Sequence, residues 1–136
     1  MIDYLRMLRI GDWIKFYPLF PLAGALLAGG DSAQTIVVLI AYFFMISYAF
    51  VVNNYFDADI DRQNRQKVAS GKNPLAAGRV DGRGVVLLMT FLVSVPLVLS
   101  IRLSPTGTLF IVVNLLLMTA YSASRIRLKE RYLWDA

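Results

Sequence analysis

The sequence contains no cysteine and no histidine. Their absence excludes disulfide frameworks, thiolate metal sites, cysteine or histidine nucleophiles and imidazole proton shuttles. Any metal held by this chain is a hard cation bound through oxygen. Charge is scarce as well: charged residues make up 17% of the chain and hydrophobic ones 57%, with a mean hydropathy of +0.58. Soluble domains carry about 25% charge, so the chain reads as a membrane protein.

Four stretches carry no formal charge, residues 16–30, 32–56, 84–101 and 103–124, of 15, 25, 18 and 22 residues. A helix needs about 20 residues to cross roughly 30 Å of hydrocarbon. The last three stretches qualify as they stand. The first becomes long enough when Lys15 snorkels and Trp13 and Tyr17 lie in the headgroup belt. The expectation is an all-α, polytopic transmembrane bundle with helices over about 12–30, 34–56, 84–102 and 105–123 and a loop over 57–83. Pro18 and Pro21 interrupt the first apolar run, which argues against a cleaved signal peptide there. Pro96 is expected to kink the third helix and Pro105 to start the fourth. Gly24 and Ala28, four residues apart, would let another helix approach closely.

Of the 14 Lys and Arg residues, only Arg102 lies in the two tight turns between spans. The others fall in the N-terminal tail, the 57–83 loop and the C-terminal tail. By the positive-inside rule those three segments are cytoplasmic. The net charge of +5 suits anionic lipid headgroups or a phosphorylated substrate and argues against nucleic acid.

The second apolar run ends in "FVVNNYFDADID". Asn53, Asp57 and Asp61 are spaced i, i+4, i+8, so on a helix they drift about 40° per step and form a stripe about 12 Å long. Asp59 points away from it. Like charges crowd this stripe at a helix C-terminus, where the macrodipole is already negative. A divalent cation relieves the conflict. Aspartate with asparagine carbonyl oxygen suits Mg²⁺, which takes one or two carboxylates and completes its shell from water and substrate phosphates. Acidic residues beyond a span are often plain solvated loop, but polar residues still inside an apolar run are costly and favour a site. The residues alone also leave open a non-catalytic membrane scaffold or regulatory subunit, and half of a cation channel or transporter. The last would need its acidic groups nearer the midplane.

"NNYFDADID" resembles the first aspartate-rich motif of the UbiA-type intramembrane prenyltransferases, N-D-x-x-D-x-x-x-D at the cytoplasmic end of the second helix. Asn53, Asp57 and Asp61 match it, and Asn54 stands where the second-position aspartate is usual. "LRIGDWIKFYPLFPLAGALLA" resembles the approach to the family's first helix. "KNPLAAGRV" resembles the stretch N-x-P-x-R-P-L-x-x-G, fitting at Asn73, Pro74, Leu75 and Gly78. "YSASRIRLKERYLWDA" resembles the segment after the fourth helix, with Tyr121 matching and Arg125 in place of the usual lysine.

The resemblance implies the first part of a nine-helix fold and Mg²⁺-dependent transfer of a prenyl group from an allylic prenyl diphosphate to an acceptor at the cytoplasmic side. By matched position Asn53, Asp57 and Asp61 would hold Mg²⁺ against the diphosphate. Lys67, Lys72, Arg79 and Lys129 are candidate cations for the same anion. Tyr121 and Arg125 are the candidate catalytic residues, Tyr121 facing the reacting carbon and Arg125 capping the diphosphate. Apolar residues from Tyr42, Phe43 and Phe44 through Phe91 and Leu92 are candidates to hold the isoprenoid tail. Family enzymes are about twice as long and carry a second aspartate motif in the later half. The expectation is therefore a piece or half of a full enzyme, inactive alone and completed by a C-terminal half. The acceptor and the prenyl length are not legible in these residues.

Overall fold

The structure, a computed structural model, describes residues 1–123. Seven helices follow one another: α1 (Ile2–Met7), α2 (Ile10–Trp13), α3 (Leu19–Leu27), α4 (Ser32–Gln63), α5 (Arg65–Ser70), α6 (Gly82–Ser100) and α7 (Pro105–Ser122). There is no strand among the described residues. Three of the helices, α4, α6 and α7, are long and apolar enough to cross a membrane.

Helix α4 is the spine, packing against α1, α3, α5, α6 and α7. Its inner face supplies Ala41, Met45, Tyr48, Val51 and Val52 to a core completed by Met7 and Leu8 from the N-terminal segment, Val85 and Leu92 from α6, and Ile111 and Leu115 from α7. The Tyr48 hydroxyl and Thr119 Oγ1 lie 2.7 Å apart and tie α4 to α7, the kind of interhelical polar link that apolar surroundings favour. The outer faces expose Leu87, Val98, Leu109, Phe110 and Leu116. Such a surface suits lipid, in which each spanning helix satisfies its own backbone.

Two boundaries differ from those expected. A continuous helix over 12–30 is absent: α2 gives way to turns over 14–18, and α3 has only 9 residues, about 14 Å of helix. Pro18 sits at the N-cap of α3, where it lacks a backbone donor, and Gly29 ends the segment with φ +66°, a conformation glycine adopts freely. The close approach expected at Gly24 is not made by this chain's described residues, since a Cβ there would meet nothing within 4 Å. At the other boundary α4 does not stop at 56. Its 32 residues make about 48 Å of helix, more than the roughly 30 Å of hydrocarbon needs, and Asp57 and Asp61 lie in its last turns.

Local chemistry sets the remaining ends. Asp31 caps α4 by accepting from Gln34 N at 2.7 Å. Asn64 caps α5 through Gln66 N and Lys67 N at 3.0 and 3.2 Å, and Gly71 ends α5 at φ +64°. Asp81 caps α6 and Ser104 caps α7, each satisfying an orphan amide of its first turn. Pro105 opens α7 and Pro96 lies inside α6. Trp13, buried and donating Nε1–H to the Leu8 carbonyl at 2.9 Å, docks the N-terminal segment. Its ring begins a ladder through Phe43, Phe44 and Phe91 with centroids 5.3, 5.6 and 5.7 Å apart, so these aromatics pack on one another.

Candidate functional site

The long α4 delivers the aspartate stripe as a rigid face. Asp61 is buried, only 8% exposed. Its Oδ1 accepts from Lys67 Nζ at 2.6 Å and its Oδ2 from Asn73 Nδ2 at 3.0 Å. Asn73 is itself buried; it also donates to the Asn54 carbonyl at 2.8 Å and accepts from Ala76 N at 3.3 Å. Asn54, buried too, donates its Nδ2 to the Lys72 carbonyl at 3.4 Å. Burying amides costs little when each is paired in this way. The turn after α5 is thereby bound to α4 along the edge of the stripe. Asp59 faces outward and pairs with the Arg62 guanidinium at 3.2 Å, its side chain 89% exposed, as the helical angles predict.

Lys67 owes its position to the Asn64 cap, which starts α5 and turns the lysine back toward α4. The hydrogen bond and charge of Asp61 hold the ammonium pKa above its ordinary 10.5, with a smaller contribution from the Asp57 charge. Lys67 therefore lies within electrostatic reach of both carboxylates. Asn53, one turn earlier, accepts from Ser122 Oγ at 3.4 Å, joining the stripe to the end of α7.

Beside Asn53 a cleft of about 540 Å³ opens between α4, α7 and the N-terminal segment. Asn53, Tyr121 and Ser122 line it with Arg9, Tyr17 and Phe50, and Tyr121 is 53% exposed there. Arg9 did not stand out in the sequence. Its backbone has φ +50°, uncommon without glycine and typical of turns or functional sites. The guanidinium donates from Nε to Asp12 Oδ2 at 2.8 Å and lies 5.0 Å from the centre of the Phe50 ring. In the sequence it is one of three cations, with Arg6 and Lys15, around the aromatic belt, and nothing local sets it apart.

Of the other expected residues, the structure brings Lys67 to the stripe and Tyr121 to the cleft. Lys72 and Arg79 turn their side chains into a different cleft, against α1 and α2. Arg125 and Lys129 lie outside the described residues.

Among the described residues no cluster of three or more His, Cys, Asp or Glu is placed to hold a metal. What the stripe offers is two carboxylates and an amide carbonyl. That set fits Mg²⁺, a hard ion that needs few protein ligands and fills its shell with water and phosphate oxygens.

Apolar helices of spanning length, one of them ending in a polar oxygen-rich face, define an integral membrane protein. A family model for the UbiA prenyltransferase family matches residues 18–136, and the chain belongs to that family. No curated protein and no solved structure matches it.

Proposed function

We propose that this chain forms the diphosphate-binding side of a prenyltransferase site at the cytoplasmic face of the membrane. The observation that carries the reading is the Asn53, Asp57 and Asp61 face at the end of a membrane-crossing helix, with Asp61 fixed by Asn73 and Lys67. Membership of the UbiA prenyltransferase family supports the reaction class. The substrates are an allylic prenyl diphosphate and a nucleophilic acceptor.

Asn53, Asp57 and Asp61 would hold Mg²⁺, which when bound supplies Lewis-acid stabilisation to the departing diphosphate. The chain's own groups do the rest. Asn73 keeps the Asp61 carboxylate oriented, so no reorganisation is needed when the anion arrives. Lys67, paired with Asp61 yet still half exposed, is a point charge at hand for the diphosphate oxygens. Arg9 presents a guanidinium to the cleft that Asn53 and Tyr121 line; Arg125, by its motif position, and Lys129, as a tail cation, join the same role.

In the reaction the allylic C–O bond breaks and its electron pair leaves on the diphosphate oxygen. The acceptor then bonds to the allylic carbon and gives up a proton. The Tyr121 ring stabilises positive charge on that carbon through its π face, and the apolar Leu117 and Met118 in the same cleft keep water away from it. The test is Mg²⁺-dependent prenyl transfer in membranes carrying the protein. Asp57→Asn combined with Asp61→Asn should abolish it, and normal transfer by that variant at normal abundance would falsify the reading.

A further inference from the structure

The second cleft, about 620 Å³, lies between the N-terminal helices and residues 69–72 and 79. Arg6, Arg9, Lys72 and Arg79 line it against a single carboxylate, Asp12. Much of that charge is uncommitted. Arg6 pairs with Asp3 and Arg9 with Asp12, but Lys72 reaches Asp12 only at 3.6 Å with its side chain 63% exposed. Arg79 has no carboxylate partner among the described residues. Its guanidinium lies over Gly71, where a Cβ would come within 3.2 Å of Nη1, so the absence of a side chain there leaves room for the planar fork.

Position in the membrane adds the second line of argument. The Tyr4 hydroxyl donates to Asp81 Oδ1 at 2.6 Å, and Asp81 is the N-cap of α6. Helix α1 is therefore held at the level where a spanning helix begins, which is the headgroup layer. Met7 is buried in the core, while Ile2 and Leu5, 66% and 57% exposed, form the apolar rim of the cleft beside Arg6. Apolar side chains flanking arginines at this depth are the pattern of an interfacial helix.

We propose that this cleft binds the phosphate of an anionic phospholipid headgroup, with Arg79 and Arg6 as its principal ligands and Ile2 and Leu5 in the acyl boundary. The guanidinium fork matches phosphate oxygens, and the apolar rim favours a phosphate that arrives on a lipid. The stripe residues do not line this cleft, and Arg9, which lines both clefts, is left unchanged in the test.

The test is native mass spectrometry of the whole protein in micelles titrated with phosphatidylglycerol, phosphatidylcholine or glycerol 3-phosphate. The wild type should retain phosphatidylglycerol in preference to phosphatidylcholine. Each removed cation should cost about fivefold in affinity, so Arg6→Gln with Arg79→Gln should cost about 25-fold. Arg6→Lys with Arg79→Lys, which keeps the charge but loses the fork, should restore the binding only in part. If the double glutamine variant loses helicity, Arg79→Gln alone decides, since that side chain carries no ion pair among the described residues. Equal retention of the two lipids, or undiminished phosphatidylglycerol binding by folded glutamine variants, overturns the proposal. Glycerol 3-phosphate binding with the same arginine dependence but no lipid preference also overturns it, and assigns the cleft to a soluble phosphate.

Discussion

Residues 64–81 carry different chemistry on their two sides. Toward α4, Lys67 and Asn73 are committed to Asp61 by contacts of 2.6 and 3.0 Å, and the carboxylate is buried. Toward the N-terminal helices, Lys72 reaches Asp12 of α2 only at 3.6 Å and stays largely exposed. Burial explains the difference. A buried carboxylate must be paired and hydrogen-bonded or its desolvation goes uncompensated, whereas an exposed cation gains little from a partner and can wait for a ligand. One short segment thus supplies a preformed network to the aspartate stripe and surplus positive charge to the cleft beside α1 and α2.

That contrast can be broken from the committed side first. Asp57→Asn should have the largest effect, lowering Mg²⁺-dependent prenyl transfer on the order of 10²-fold or more, by analogy with removal of a preorganised charge-stabilising group. Asn73→Leu comes next: it removes the amide donor to Asp61 and leaves the buried Ala76 amide without its acceptor, and a buried unsatisfied group costs about 1–3 kcal/mol. Thermal unfolding in detergent reads that loss, and Asn73→Asp, which sets a second carboxylate against Asp61, should lower the Tm further.

Lys67→Gln should raise the KM for prenyl diphosphate about fivefold while leaving the fold intact, an effect of the size expected for one partly exposed charge. The pH dependence of stability has a definite sign here. Because the folded-state pKa of Lys67 is raised, its contribution is fully present below 10.5 and is lost as pH climbs through the higher folded value. The difference in Tm between wild type and Lys67→Gln should therefore shrink above that pH. At the foot of the scale, Lys72→Gln should change stability by no more than about 0.5 kcal/mol. A larger loss would show that the cationic side is structurally committed after all.

Between these lies the docking of α1. Asp81 is held below its ordinary pKa of 3.8, first by the Tyr4 hydroxyl, and Tyr4 is held above 10.0, first by Asp81. The Asp81 contribution is present above 3.8 and lost as pH falls through its lower folded value, while that of Tyr4 is present below 10.0 and lost as pH rises past its raised one. A Cβ at Gly84 would come 2.0 Å from Tyr4 Oη. Gly84→Ala should consequently release α1 at neutral pH. Trp13 emission, followed in a Trp134→Phe background, should shift to the red in that variant and stay unchanged in wild type between those limits.

The aspartate stripe was legible because helical spacing alone fixes which side chains share a face. So was the split of Asp59 from its neighbours. Spanning segments were legible from absent charge, but helix ends were not, because charge-free runs report solvation and helices stop where caps or turns stop them. Hence α4 runs through Asp57 and Asp61 to the Asn64 cap, and the first apolar stretch breaks near Pro18 although its composition looks continuous. The division of the cations was hidden for a different reason. Lys67, Lys72 and Arg79 look alike in sequence, and only the path of the turn, set by Asn73 and by Gly71 at positive φ, decides which cleft each one faces. Arg9 escaped notice because nothing local distinguishes it from topological positive charge.

The measurement closest to the central claim is the binding of a non-reactive allylic prenyl thiodiphosphate to the protein in micelles, with and without Mg²⁺, for wild type and for Asp57→Asn combined with Asp61→Asn. The account predicts tight binding only by the wild type and only with Mg²⁺. Equal binding by the folded variant, or binding indifferent to Mg²⁺, would contradict it.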